Sequence, residues 1–528
     1  MDYQHDAGTC WFGFTQNSMN DSINVATFPS RVLIVGLGET GVAAARWCVR
    51  QGARVRVADT RVAPAGLEAL QKDMDPNAIE FHLGCDVFAE TLLDEVDALV
   101  LSPGLAPGMS PVRELLDAAQ ARSIEVIGEI ELFARALVQL KQERAYAPKV
   151  LGITGTNGKT TVTALARHML AAAGMKARAA GNISPAALHA LTEALDADDL
   201  PDVWVLELSS FQLETTQTLR CTAATVLNLT QDHLDWHGTM EAYAAAKSRI
   251  FGMADIMLVN RDDERVMEMV DALTALNVRS FGRDVPMLAG DVGIEVNNGV
   301  TWLCISEPTE FEDDLPAPVK RKKNAPAPQR HPGRTVRMMP ADALGIKGMH
   351  NALNCLAALS LARACGAGLA PMLRAATEYL GEPHRMEFIR TIGGVDFFND
   401  SKGTNVGATV AGLDGLGRRF VLIAGGVGKG QDFSPLAPII AKHARAVTLI
   451  GQDATLIAQV LSPSVVPIDF ATDMQNAVAQ AFSQAIEGDV VVLSPACASF
   501  DMFRNYPHRG QVFADAVSEL ALEQGEVV

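Results

Sequence analysis

Short apolar runs recur along the chain, each ending abruptly in glycine, serine, lysine or an acid and each followed by a longer amphipathic or alanine-rich stretch. Runs of this kind read as strands buried on both faces, and their alternation with helices predicts parallel α/β layers. The first run, Arg31-Val-Leu-Ile-Val35, leads into Gly36-Leu-Gly38-Glu-Thr-Gly41 and a helix to about Gln51. The next, Arg54-Val-Arg-Val-Ala58, ends at Asp59-Thr60-Arg61, and Asp97-Ala-Leu-Val-Leu101 ends at Ser102-Pro103-Gly104. A helix is expected to open at Gly128-Glu-Ile-Glu-Leu-Phe133, and Lys141 to Lys149, with Arg144 and Pro148, reads as a linker. A second group begins with Val150-Leu-Gly-Ile153 and a helix from Val162 to Ala173. It continues with Val203-Trp-Val-Leu206 and with Thr225-Val-Leu-Asn228-Leu-Thr230. A third group contains Phe397-Phe-Asn399, Phe420-Val-Leu-Ile-Ala424, Val447-Thr-Leu-Ile450 and Asp489-Val-Val-Val-Leu493.

Three α/β domains are therefore predicted: a Rossmann-like domain over 31–140, a P-loop ATPase-like domain over 150–382 and a second Rossmann-like domain over 383–528. Residues 1–30 are expected to be a tail. Between them 307–337 holds five prolines from 316 to 332 and the basic run Lys320-Arg-Lys-Lys323 without apolar periodicity. It reads as a disordered insertion, a solvated loop before a nucleic-acid tail.

Composition narrows the classes. A chain of 528 residues, 48% hydrophobic and 20% charged, has material for several cores. Its formal charge of −18 argues against a general nucleic-acid binder, although a basic pocket can sit in an acidic surface. No apolar run reaches the roughly 18 residues of a membrane span, so stable membrane insertion is not expected. The first thirty residues lack a basic segment of the secretory kind. Eight cysteines stand singly at 10, 48, 85, 221, 304, 355, 365 and 497, with no zinc spacing, and point to a cytoplasmic protein with reduced thiols.

Candidate chemistry gathers at the strand ends. Thr154-Gly155-Thr156-Asn157-Gly158-Lys159-Thr160-Thr161 joins a strand to a helix N-terminus, which makes a phosphate cradle. The usual pattern has glycine where Ile153 stands, so this is a variant. Lys159 is expected on the outer phosphates of a nucleoside triphosphate and Thr160 on Mg²⁺. The Gly36–Gly41 turn with Asp59 fits a dinucleotide site; by itself it suits NAD, or, with Arg61 beside the acid, another nucleotide carrying a diphosphate. Glu207 at a strand tip beside the phosphate loop is a candidate second Mg²⁺ ligand. Asp232, His233, Asp235 and His237 cluster at the next tip in a density that suits metal and phosphate work; His237 reads as structural. Taken locally, Lys247 is a helical lysine facing water or a carboxylate. Asn351 and Asn354, three apart, share one helix face and could grip a purine or a phosphate.

Jointly, Thr154-Gly-Thr-Asn-Gly-Lys-Thr160, Glu207-Leu-Ser-Ser, Gly348-x-His350-Asn351 and Asp400-Ser-Lys-Gly-Thr404 resemble the motifs of the Mur ligases, in the same order, from about Arg31 to Leu520. Gly36-Leu-Gly38-x-Thr-Gly41 with Asp59-Thr-Arg61, Glu207 to Glu214 and Ser494-Pro-Ala-Cys-Ala-Ser499 point within the family to the member that adds D-glutamate. The resemblance implies ATP-dependent amide formation on UDP-N-acetylmuramoyl-L-alanine through an acyl phosphate. It implies a UDP site of Gly38, Thr40, Gly41, Asp59, Thr60, Arg61, Ser102 and Asn182. ATP is implied at Gly155 to Thr161 with Asn351, Arg385 and Asp400. D-glutamate is implied at Lys402, Thr404, Lys429, Ser499, Phe500 and Tyr506. Two Mg²⁺ are implied on Thr160, Glu207, His233 and Lys247, the last as a carbamylated lysine; Lys159, His233 and Lys247 are the implied catalytic set. A monomer without nucleic-acid partners is expected. Another Mur ligase step, a folylpolyglutamate-type ligase, a nicotinamide dehydrogenase and a P-loop scaffold remain as alternatives, the last leaving Glu207, His233 and Asp400 without a reason to sit at strand tips.

Overall fold

A computed structural model describes residues 28–64, 66–75, 77–270, 276–309, 330–414 and 416–526. Its apolar runs form three separate sheets. In the first, five parallel strands lie in the order Ile79–Leu83, Arg54–Asp59, Arg31–Val35, Ala98–Leu101, Glu125–Ile127. Val32 to Val35 and Leu99 to Leu101 are buried because helices cover both faces. The helix Glu39–Arg50 starts directly behind the Gly36–Gly38 turn. A Cβ on Gly41 would lie 2.1 Å from the Gly36 carbonyl oxygen, so only glycine lets this helix approach the strand.

The central sheet has nine strands. Seven pair in parallel, in the order Val292–Asn297, Val278–Phe281, Ala254–Asn260, Cys221–Val226, Lys149–Thr154, Val203–Glu207, Ala177–Gly181. An antiparallel meander, Val292–Asn297, Val300–Pro308 and Gly333–Pro340, extends one edge. The helices Lys159–Ala172 and Met349–Ala364 bury Val162, Leu165 and Met169 with Leu353, Leu356 and Leu359 in one core. The third sheet runs Glu387–Ile392, Val395–Asn399, Val490–Leu493, Phe420–Gly425, Ala444–Ile450, Ile468–Phe470, parallel except for its first edge strand.

Three boundaries differ from those read off the chain. The helix Glu129–Arg144 takes up half of the supposed linker 141–149. Lys141 and Arg144 are its last-turn cations, which complement the negative end of the helix dipole. The strand expected from Thr225 ends at Val226, leaving Leu227 and Asn228 in the loop beyond it. The segment 307–337 begins and ends in strand, with Ser306 opposite Thr335 and Cys304 opposite Arg337. Only 310–329 of it, and 1–27 of the expected tail, lie outside the described residues. No helix among the described residues is long and apolar enough to cross a membrane.

The first and central domains share apolar packing. Phe133 meets Trp204 edge-on at 5.3 Å, and Ala43, Ala44 and Trp47 join Ala187, Leu188 and Leu191 in one buried cluster.

Candidate active site

Parallel strands deliver their loops to one edge of a sheet. On the central sheet Ile153 is in register with Glu207 and Thr154 with Val226, so the phosphate loop lies between the Glu207 and Asn228 tips. Gly155 and Gly158 have φ of 148° and 83°, and a Cβ on Gly158 would lie 2.7 Å from Asn354 Oδ1. The helix Lys159–Ala172 has no side-chain cap, which leaves its N-terminal amides available to an anion. Asn228 pins the loop: its Oδ1 accepts from Asn157 N at 2.8 Å, and its Nδ2 donates to Asn157 O at 3.1 Å. Lys159 Nζ folds back onto the carbonyls of Gly155 and Thr156, at 2.7 and 2.8 Å. Burial lowers its pKa, as expected for an ammonium removed from water before an anion arrives.

Two oxygens beside this loop are conspicuous. Thr160 Oγ1 and Glu207 Oε2 are buried and lack a hydrogen-bond partner, whereas Glu207 Oε1 accepts from Asn182 Nδ2 at 2.8 Å. Buried polar atoms are rarely left unpaired, so a hydroxyl and a carboxylate oxygen at a phosphate loop fit a hard cation such as Mg²⁺. Among the described residues no group of three or more His, Cys, Asp or Glu side chains could hold a metal. Mg²⁺ bound to nucleotide phosphates, however, needs only one or two protein carboxylates.

Lys247 departs from its local reading. It is buried at 1% exposure; its Nζ donates to Gly155 O at 2.9 Å and to Thr154 Oγ1 at 3.3 Å, and it lies 4.8 Å from the centre of the Tyr243 ring. Burial, reinforced by the Lys159 charge, holds its pKa well below the usual lysine value. His233 sits in the left-handed region at φ 55°, with Nε2 3.6 Å from Asp232 Oδ2. Burial depresses its pKa despite the Asp232 carboxylate, so the imidazole is neutral near pH 7. His237 is structural, as expected: Nε2 meets Ser210 Oγ at 2.9 Å, the ring stacks on Phe211, and burial takes its pKa down to about 3.

A cleft of about 730 Å³ runs from this edge to the third domain. It brings together Thr156 to Thr161, Asn182, Glu207, His233, Asn351, Arg385, Asp400, Lys402, Thr404 and Lys429. Asn405 Nδ2 crosses it, donating to Asn157 Oδ1 at 3.1 Å and Asp232 Oδ2 at 3.3 Å. Asp400 accepts from Ser494 Oγ at 2.6 Å, and burial raises its pKa to about 6. Arg385 Nε is buried without a hydrogen-bond partner. Asn354 Nδ2 donates to Asn351 Oδ1 at 3.2 Å, the shared face that their spacing predicts. Ser499, Phe500 and Tyr506 do not line the cleft. Ser499 is buried and Phe500 is 73% exposed, while the Tyr506 hydroxyl lies 3.0 Å from Lys402 Nζ.

The first-domain residues form their own group at the carboxyl edge of the first sheet. Asp59 accepts from Leu37 N at 2.7 Å and from Arg61 Nε and Nη2 at 2.8 and 2.6 Å. Burial pushes the Asp59 pKa up, but these donors outweigh it and hold the carboxylate ionised. Ser102 Oγ donates to Gly36 O at 2.6 Å, bracing the turn beside Gly38 and Gly41; Thr40 lies in the first turn of the helix and Thr60 just past the Asp59 tip.

Family models match the three parts separately. Residues 30–128 match the Mur ligase MurD-like N-terminal domain, 153–305 the Mur ligase middle domain, and 384–497 the Mur ligase glutamate ligase domain. UDP-N-acetylmuramoylalanine–D-glutamate ligase of Bordetella bronchiseptica is 64% identical over 94% of this chain and 97% of its own length. The chain belongs to the Mur ligase family. The protein of the same description from Ralstonia nicotianae is 55% identical over 94% of this chain and 98% of its own length. Among solved structures, UDP-N-acetylmuramate-alanine ligase from Thermotoga maritima shares the fold with a TM-score of 0.53 and 17% identity, covering 93% of this chain and 99% of its own. Folylpolyglutamate synthase from Mycobacterium tuberculosis does so with a TM-score of 0.50 and 18% identity, over 74% and 94%.

The match of residues 30–128 to the MurD-like N-terminal domain removes the nicotinamide reading of the Gly36–Gly41 turn. In this Mur ligase the sequence reading missed several supports. Asn228 and Asn405 were visible only as polar residues after strands. Asn260, Asp262 and Arg283, which also line the cleft, stand at or just past the ends of two strands. Their position at strand tips was the signal available.

Proposed function

We propose that this Mur ligase joins D-glutamate to UDP-N-acetylmuramoyl-L-alanine, consuming ATP through an acyl phosphate. The observation that carries the reading is the single cleft in which the phosphate loop with Lys159, the unpartnered Thr160 and Glu207 oxygens, and the third-domain Lys402, Thr404 and Lys429 face one another. The names of the relatives support the choice of substrates.

In this reading the Gly38–Gly41 turn, Asp59, Thr60, Arg61 and Ser102 hold the UDP group, and Asn182 reaches the muramoyl part. The loop amides and Lys159 hold the phosphates of ATP, with Asn351, Arg385 and Asp400 on its nucleoside side. The substrate carboxylate oxygen attacks the γ-phosphorus; the bond to the β–γ bridging oxygen breaks, and ADP leaves. Such a transfer needs neutralisation of phosphoryl charge more than covalent help. Lys159 supplies one cation, and two Mg²⁺, one on Thr160 and Glu207 and a second on His233, would supply the rest. The uncharged amine of D-glutamate, placed by Lys402, Thr404 and Lys429 with Ser499, Phe500 and Tyr506, attacks the acyl carbon. Phosphate departs with one oxygen of the original carboxylate. Holding the reactants on different domains favours closure, which excludes water from the acyl phosphate.

Lys247 is proposed to be carbamylated. Burial and the Lys159 charge disfavour its ammonium form, so the amine can give up a proton; its lone pair then adds to CO₂ with loss of one further proton, giving a carboxylate under the phosphate loop. That anion would offset Lys159 and, with His233, would be a hard ligand for the second Mg²⁺. The seven described cysteines are unpaired, which supports a cytoplasmic setting.

The test is ADP release by the full chain with ATP, Mg²⁺ and UDP-N-acetylmuramoyl-L-alanine, scanned across amino acids. Release confined to D-glutamate is expected. Release with another amine reassigns the step, and none with any amine overturns the reading.

A further inference from the structure

The helix Ala187–Asp196 follows the turn that carries Asn182, and its N-cap is Ala186, which has no side-chain acceptor. Its leading amides find acceptors on the first domain instead. Glu39 Oε2 accepts from Ser184 Oγ at 2.7 Å and Glu39 Oε1 from Ala186 N at 3.2 Å, while Glu129 Oε1 accepts from Leu188 N at 2.5 Å. Both acids open helices of their own: Glu39 stands directly behind Gly38, and Glu129 starts the helix Glu129–Arg144. Three helix N-termini thus meet on two carboxyls, and the negative charge of Glu39 there is favoured by the dipoles. Glu129 is 3% exposed and its Oε2 has no partner. At the other end of the same turn, Asn182 N donates to Glu207 O and Asn182 Nδ2 to Glu207 Oε1, both at 2.8 Å. A continuous path of hydrogen bonds and covalent chain therefore links the glycine turn of the first domain to the free oxygen of Glu207.

We propose that Glu39 and Glu129 are positioning residues: by holding the 182–188 turn from the first domain they orient Asn182 and Glu207, and so couple occupancy of the Gly36–Gly41 turn to nucleotide and metal binding in the cleft. The inference rests on the reading above that the turn holds UDP and that Glu207 faces Mg²⁺. A docking contact alone would add stability to the domain interface. A positioning contact also changes how tightly the second ligand binds once the first is present.

The test is calorimetric titration of Mg²⁺ with a non-hydrolysable ATP analogue into the full chain, with and without UDP-N-acetylmuramoyl-L-alanine. The substrate is expected to tighten nucleotide binding to the unsubstituted chain. Outer partners of metal ligands typically contribute 10–100-fold in metal affinity, so Glu39→Ala should reduce this tightening by about 10-fold. Glu39→Gln keeps an acceptor oxygen and should recover most of it. Ser184→Ala should reproduce the loss, and the double variant should add little to either single one. Glu39 is exposed, so these variants are expected to fold. Full tightening in Glu39→Ala, or a lowered Tm with the tightening intact, overturns the proposal, as does an unsubstituted chain that binds both ligands without tightening. An unsubstituted chain that binds no nucleotide overturns the ATP reading itself.

Discussion

At the scale of single residues, Lys159 and Lys247 stand for what the chain discloses and what it hides. The neighbours of Lys159 in sequence, glycines before it and threonines after it, already state its role. Lys159→Ala is expected to lower turnover by at least about 10²-fold, the scale of losing a preorganised charge-stabilising group. Near-normal ADP release in that variant would contradict its place on the phosphates. Nothing next to Lys247 announces burial. The helix Met240–Ser248 looks solvated along the chain, and only its Tyr243, Ala246 and Lys247 face is buried, with Lys247 reaching the phosphate loop, a tertiary fact. If Lys247 carries a carbamate, depletion of CO₂ should lower activity and bicarbonate should restore it. The loss should deepen toward acid, since protonation of the amine competes with carbamate formation. Indifference of the rate to CO₂ would return Lys247 to a packing role.

Secondary-structure elements were legible where one period dominated. Buried parallel strands and their polar tips followed from the apolar runs, because a strand covered on both faces has to be continuously apolar. The antiparallel meander is not legible along the chain, because its outer strands mix charged and apolar side chains. Asn298-Gly299 was the available signal: both have positive φ, 50° and 77°, as a two-residue hairpin turn requires. Helix ends depended on partners distant in sequence, as at Ala186, whose capping acids lie on another domain. Burial raises the Glu129 pKa from its ordinary 4.5 to about 7. The folded state therefore keeps its proton where the unfolded chain has lost it, and this contribution to stability fades as pH rises toward about 7. From about pH 5 to about pH 8, Tm should fall more steeply in the unsubstituted chain than in Glu129→Gln, which has no such proton to lose. Parallel Tm curves would contradict the assignment.

For the whole molecule, the three α/β domains follow from the grouping of apolar runs and motifs, and a site shared by the central and third domains from the family resemblance. The pairing of Asn405 with Asn157 and Asp232 across that cleft could not be read from any one segment. The hairpin at 300–340 sets what can be removed. Deleting 310–329 and rejoining the strands should leave ADP release largely intact. Deleting all of 307–337 should lower Tm, because it removes Ser306-facing Thr335 and Cys304-facing Arg337 from the ladder; equal Tm for the two deletions would contradict the register. The account as a whole depends on ATP activating a carboxylate on one substrate for an amine on another. Its most direct measurement starts from UDP-N-acetylmuramoyl-L-alanine labelled with ¹⁸O in the alanyl carboxylate and follows the label after a single turnover with ATP and D-glutamate. One labelled oxygen in the released phosphate is the predicted result, and phosphate free of label would contradict it.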